Sequence, residues 1–213
     1  MFKDRFDAGK KLAQKLEHYS DEDPIVLAIP RGGVPVGFEV AKHLNCRFSL
    51  VIARKLPFPY NPEAGFGAIA EDGSTYIMTG AMNNISQNML DTILAQQKEE
   101  IKRRVNILRG GRPLPELQSQ TVILVDDGIA MGSTIQTAIK LCEKKEAEKI
   151  IVGSPVSSPE VARSIGQRPS VAETIILETP KFFRAVAQVY EHWYDVPDHE
   201  VLEIMNRWQN EFA

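Results

Sequence analysis

The chain alternates short, almost wholly apolar runs with longer stretches whose apolar residues recur every three or four positions. The short runs are Ile25 to Ile29, Phe48 to Ala53, Thr121 to Val125, Lys149 to Gly153 and Thr174 to Leu177. Runs rich in β-branched residues, without polar alternation, predict strands covered on both faces. The longer stretches predict helices over Pro35 to Leu44, Ser86 to Leu108 and Ser133 to Lys145. In the longest, Leu90, Ile93, Leu94, Ile101, Val105 and Leu108 recur at helical steps. Lys98, Glu99, Lys102, Arg103 and Arg104 fall on the opposite face, which is expected to be mostly solvated. Strands and helices in alternation predict an α/β fold with a central, mainly parallel sheet flanked by helices.

The punctuation between these elements adds detail. Gly67 to Ala70 and Thr75 to Met78 predict a hairpin around Glu71-Asp72-Gly73-Ser74. Leu56 to Phe66, with three prolines and Gly65, predicts a loop long enough to act as a lid. Ser158-Pro159-Glu160 predicts a helix start, and Asp198 a cap on a last helix through Trp208. With 213 residues, one structural domain is expected: a core over 1–178 and a small aromatic-rich C-terminal hood over 179–213.

Composition narrows the function classes. Hydrophobic residues are 43% of the chain and charged residues 25%, enough for a packed core. The formal net charge of -3 lacks the basic excess of a nucleic-acid binder, so no nucleic-acid partner is expected. No apolar run approaches the ~18 residues that span a bilayer, and residues 1–7 lack a signal-peptide core. Cys46 and Cys142 have no metal or redox spacing and read as buried thiols. No membrane partner and a cytoplasmic location are therefore expected.

The chemistry concentrates in Val122 to Thr134. A buried strand delivers Asp126 and Asp127 to its carboxyl edge. The glycine-bounded loop Gly128-Ile129-Ala130-Met131-Gly132 then enters a helix with Ser133 and Thr134 in its first turn. Ligands of open α/β sheets bind at that edge, and free N–H groups at a helix start suit a phosphate. The carboxylates suit vicinal sugar hydroxyls, taken directly or through magnesium.

This segment resembles the phosphoribosyl diphosphate signature of the type I phosphoribosyltransferases, and the resemblance extends over about Phe6 to Leu177. It implies that Asp126 and Asp127 bind the ribose hydroxyls and that Gly128 through Thr134 wrap the 5-phosphate. Two positions depart from the family pattern. Met131 stands where most members carry threonine, so one hydroxyl donor is missing, worth about 1.5–3 kcal/mol toward a charged group. Ala130 stands where hypoxanthine-guanine enzymes place an aspartate.

The diphosphate side is Ile29 to Gly37. Gly32 and Gly33 let backbone amides approach an anion, and Arg31 supplies a cation. The resemblance implies a diphosphate loop here, with a cis peptide near Arg31. Arg54 and Lys55 close the next strand and are similar to the Arg-Lys pair of adenine and orotate enzymes, which approaches diphosphate. Gly65 to Ala70 fits a loose dinucleotide fingerprint but follows a proline-rich segment, not a strand, and is rejected.

The resemblance thus implies transfer of a 5-phosphoribosyl group from its diphosphate to a nitrogen acceptor, a nucleobase by default with purine ahead. Arg54, Lys55 and Asp127 are the expected catalytic residues. Arg31, Gly32, Gly33 and Lys55 take the diphosphate. Magnesium is the cofactor, held through substrate oxygens and by Asp126 or Asp127 through water, without a protein-only cage. A homodimer is implied. Phe182, Phe183, Tyr190, Trp193 and Tyr194 are hood core with one candidate stacking ring among them, and His192 and His199 are candidate polar contacts. The competing reading is a regulatory module that binds the donor without turning it over.

Overall fold

The computed structural model describes residues 1–81 and 85–212. Five parallel strands form the main sheet: β1 (Ile25–Ala28), β2 (Arg47–Leu50), β6 (Thr121–Val125), β7 (Lys149–Val156) and β8 (Val171–Glu178), in the order β2-β1-β6-β7-β8. A second, antiparallel sheet holds β3 (Ala53–Phe58), β4 (Asn61–Ala70) and β5 (Thr75–Ile77). The helices are α1 (Arg5–Leu16), α2 (Gly33–Leu44), α3 (Gln87–Arg109), α4 (Ser133–Lys144), α5 (Pro159–Gly166) and α6 (Asp198–Glu211). The α/β architecture predicted from the periodicity is the one observed.

The central strands β1, β6 and β7 each serve two cores, because successive side chains point to opposite faces. Val26, Ala28, Ile123, Val125 and Ile151 join the core under α1, α2, α3 and α6. Ile25, Leu27, Val122, Leu124, Ile150 and Val152 join the core under α4 and α5. This two-sided burial explains why these three strands carry no polar alternation.

Local sequence sets the helix ends. Ser86 accepts from the Met89 amide at 3.3 Å and Ser158 from the Val161 amide at 3.2 Å, as expected of N-caps. Asp198 does not cap α6: the cap position belongs to Pro197, whose side chain has nothing to offer the helix. Asp198 instead turns to Arg31, Oδ1 to Nη1 at 3.4 Å.

Two further expectations are corrected. The run Phe48 to Ala53 is not one strand: β2 stops at Leu50, and β3 begins at Ala53 in the other sheet. Leu56 to Phe66 is not a free loop, since its residues are mostly strand, turning at Pro59-Tyr60. Its prolines fall where a ladder hydrogen bond is not required: Pro57 on the edge strand β3, where the register shifts on both sides of it, Pro59 in the turn, and Pro62 in β4 between the pairings of Asn61 and Gly65.

The N-terminal helix escapes the sequence reading. α1 buries Arg5, Ala8, Gly9, Leu12, Ala13 and Leu16, a regular helical stripe of which half is alanine and glycine. Gly9 permits close approach to α2, because a Cβ there would meet the Val36 carbonyl oxygen at 2.8 Å. Residues 182–194 of the predicted hood lie beside the N-terminus. The Phe2 amide donates to the Val189 carbonyl at 2.6 Å, and the Glu191 amide returns a bond to the Phe2 carbonyl at 2.8 Å. α6 meets α2 and α3 instead, with Trp208 edge-on to Phe38 and Phe48.

Candidate active site

The strand order reverses direction between β1 and β6: the chain steps outward to β2 on one side and to β7 and β8 on the other. Ligands of open parallel sheets bind at the carboxyl edge of such a switch point. Here β1 delivers Arg31-Gly32-Gly33 and β6 delivers Asp126-Asp127. The two loops are stitched together by the Ile29 amide, which donates to the Val125 carbonyl at 2.9 Å. The Pro30–Arg31 peptide is cis, as the family resemblance implied near Arg31.

A cavity of about 240 Å³ opens at this edge, lined by Lys55, Gly65, Asp126, Met131, Ser133 and Thr134 together with the loop between Gly128 and Gly132. That is below the roughly 300–1,000 Å³ of a drug-sized ligand's pocket, and of a size for one phosphorylated end. Gly132 has φ +77, the left-handed region glycine enters at no steric cost, and its carbonyl accepts from the Gln136 amide to start α4. Among the described residues no side chain caps α4, so its first N–H groups face the cavity end of the helix. Met131 is 60% exposed at the rim, where a threonine would have offered a hydroxyl.

The two aspartates differ in their surroundings. Asp126 lines the cavity, and its Oδ1 accepts from the Asp127 amide at 2.9 Å. Burial, and after it the adjacent Asp127 carboxylate, raises the Asp126 pKa well above the ordinary value. Asp127 is buried against the backbone of Gly32, where any Cβ would overlap its carboxylate. Its Oδ2 accepts from Arg5 Nε at 2.7 Å, and its main-chain carbonyl accepts from the Tyr190 hydroxyl at 2.6 Å.

Arg5 is the site residue that the sequence reading misses. It is 4% exposed, and its guanidinium lies over the Trp193 ring at 4.0 Å while Nη1 donates to the Tyr194 carbonyl at 2.8 Å. The available signal is a lone cation in phase with Ala8, Leu12, Ala13 and Leu16. Recognising it requires seeing α1 first.

The cationic side is assembled by the second sheet. Lys55 projects from β3, and its aliphatic stem crosses Gly65 of β4, which has no Cβ to block it. The predicted lid segment therefore does border the cavity, as the base of a hairpin. Arg54 donates to Gln97 Oε1 on α3 at 3.3 Å. Its pKa is lowered by burial first and then by the nearby Arg104 guanidinium. Glu100 bridges Arg103 and Arg104 at 2.7 and 3.1 Å. The charged face of α3 is mostly solvated, as expected: Lys98, Glu99, Lys102 and Arg103 are exposed, while Arg104 is directed inward, with a side chain 13% exposed.

Other predicted residues lie elsewhere. Phe182 is 79% exposed, while Phe183 packs with the small core of Phe2, Val189 and Tyr190. His192 and His199 are exposed. Cys46 and Cys142 are buried, and burial pushes both thiols up to about 12, as expected of inert core cysteines. A larger recess of about 540 Å³ lies at the opposite edge, near Arg47, Arg109 and Trp208. Its Arg109 is already committed to Glu71 and the Leu50 carbonyl. Among the described residues no helix is long and apolar enough to cross a membrane.

Known proteins resemble this chain in sequence and in structure. Residues 3–191 match the family model described as a phosphoribosyl transferase domain. A Mycobacterium tuberculosis protein, provisionally named a phosphoribosyl transferase, is 37% identical over 216 residues, covering 100% of this chain and 48% of its own length. The amidophosphoribosyltransferase of Haemophilus influenzae is 30% identical over 159 residues, covering 74% of this chain and 25% of that enzyme. The chain thus spans about half the length, or less, of these relatives. The crystal structure of the protein TT1426 from Thermus thermophilus superposes with a TM-score of 0.81 at 35% identity, covering 98% of this chain and 99% of that one. With the matched model spanning α1 through the aromatic segment and the signature residues gathered on one sheet edge, the chain belongs to the phosphoribosyl transferase family.

Proposed function

We propose that this chain binds a ribose 5-phosphate diphosphate donor at the β1–β6 switch point and transfers its phosphoribosyl group to a nitrogen acceptor, releasing diphosphate. The observation that supports this most is the cavity itself, where Asp126, the Gly128–Thr134 turn and Lys55 converge although they come from two sheets. In this reading the α4 amides, Ser133 and Thr134 take the 5-phosphate. Asp126 and Asp127 take the ribose hydroxyls. Arg31, the Gly32-Gly33 amides, Arg54 and Lys55 neutralise the departing diphosphate. The acceptor nitrogen's lone pair forms the new bond to the anomeric carbon. Diphosphate leaves with the electron pair of the broken C–O bond, and the nitrogen sheds a proton.

Magnesium fits the hard oxygen donors of this edge. Asp126 or Asp127 would hold it through water, together with donor oxygens, and it would supply charge neutralisation at the diphosphate. Among the described residues no group of three or more His, Cys, Asp or Glu is placed to hold a metal, so the donor's own oxygens carry most of its coordination in this reading. A nucleobase, purine ahead, is the acceptor proposed from the resemblance, and a homodimer in the cytoplasm belongs to the same proposal.

Incubating the protein with donor, magnesium and a panel of nitrogen acceptors tests this directly. Diphosphate release dependent on one acceptor supports transfer. The exposed Met131, in place of a hydroxyl, favours a second reading, a donor-binding module without turnover. That reading predicts thermal protection by the donor and no diphosphate release with any acceptor.

A further inference from the structure

Arg5 stands in the buried stripe of α1, 4% exposed, and so needs partners for its guanidinium. They come from two separate places. Asp127 of the β6 edge accepts from Nε at 2.7 Å, and the aromatic segment supplies the Tyr194 carbonyl at 2.8 Å and the Trp193 ring at 4.0 Å. The same segment also holds the main chain of Asp127, through the Tyr190 hydroxyl at 2.6 Å. The rings of Tyr190 and Trp193 lie 5.3 Å apart, which joins the two grips into one cluster. A carboxylate fixed on one side by Gly32 and on the other by a forked cation has little rotameric freedom left to lose when a ligand arrives.

We propose that Arg5 is a positioning residue for the donor: it holds Asp127 in its ligand-binding orientation and couples that carboxylate to Trp193. The inference rests on the reading of the acid pair as the sugar site. When ribose hydroxyls donate to Asp127, its charge is shared between ligand and Arg5. The guanidinium lying over Trp193 then changes its hold, and the indole senses the occupied site. Trp208 provides an internal control, because it is buried among Phe38, Phe48 and Phe212, away from this cluster.

The test uses protein labelled with 5-fluorotryptophan, whose two tryptophans give two fluorine resonances, titrated with phosphoribosyl diphosphate and magnesium. In the wild type the Trp193 resonance is expected to move on binding while that of Trp208 stays. Arg5→Met should weaken donor binding about tenfold or more and abolish the Trp193 response, with an unchanged Trp208 resonance reporting an intact fold. Arg5→Lys, which keeps the charge but not the fork, should restore affinity only in part. If Arg5→Met does not fold, Trp193→Leu removes the ring and leaves the ion pair, and should still weaken donor binding severalfold. A folded Arg5→Met protein, or failing that Trp193→Leu, that binds donor as the wild type does would overturn the role of Arg5 and leave the site standing. A wild type that binds no donor would overturn the site, and this inference with it.

Discussion

Asp127 lies directly on the backbone of Gly32, so closely that a Cβ on Gly32 would overlap the carboxylate. The two loops of the switch point, 95 positions apart, are therefore built to one another's shape. Gly32→Ala should push Asp127 off its position, weaken donor binding at least tenfold, and cost about 1–3 kcal/mol in stability by overpacking. Calorimetry and a urea melt read the two effects. Gly73→Ala, at φ +85 with nothing within 4 Å, is the control: it should cost stability through backbone strain alone and leave donor binding untouched.

Lys55 borders the cavity with its stem across Gly65. In the proposed reaction, removing it would strip a cation from the departing diphosphate without opening the core. Lys55→Ala should lower kcat by about 10²-fold or more, in the range typical of lost transition-state charge stabilisation. The melting temperature should stay close to that of the wild type. A matched fall in stability would mean that the residue serves the hairpin instead.

The hairpin sheet is anchored by Glu71, whose Oε1 accepts from Arg109 Nη1 and from the Ile52 amide, both at 2.9 Å. Arg109 is 3% exposed, so Glu71→Ala leaves a buried cation without its counter-charge. The expected loss is about 3–5 kcal/mol, read as a lower urea midpoint. A loss under about 1 kcal/mol would contradict this account of the anchor.

Glu100, hydrogen-bonded to Arg103 and then to Arg104, is held down to about 2 from its ordinary 4.5. A depressed carboxylate contributes stability that is fully present above the unfolded-state pKa and lost as pH falls through the folded one. The window is therefore about pH 4.5 down to about 2. Glu100→Gln should flatten the stability–pH curve there, by under about 1 kcal/mol given partial exposure, and leave the curve at neutral pH parallel to that of the wild type.

Much of this architecture is legible without coordinates. Thr121–Val125 reads end to end because a run of β-branched residues and one leucine stops abruptly at two aspartates, and burial on both faces leaves no charged residue to blur it. Ser86 and Ser158 announce their helices because a hydroxyl at that position takes an orphan amide. Other parts are hidden for physical reasons. α1 buries alanine and glycine, whose weak hydropathy gives a helical stripe little contrast. The prolines of Leu56 to Phe66 argue for a loop, yet Pro57 fits an edge strand with shifted register, Pro59 the turn, and Pro62 a stretch of β4 between two pairings. The partnership of Arg5 and Asp127 spans 122 positions, and no local pattern encodes it.

The most direct test of the donor site is a calorimetric titration of phosphoribosyl diphosphate, with magnesium, into the wild type and into Asp126→Asn. Asp126 lines the cavity and is not the carboxylate that Arg5 holds, so its loss leaves that buried ion pair in place. The account predicts saturable one-to-one binding by the wild type and at least tenfold weaker binding by the variant. Equal affinities, or no binding to the wild type, would contradict it.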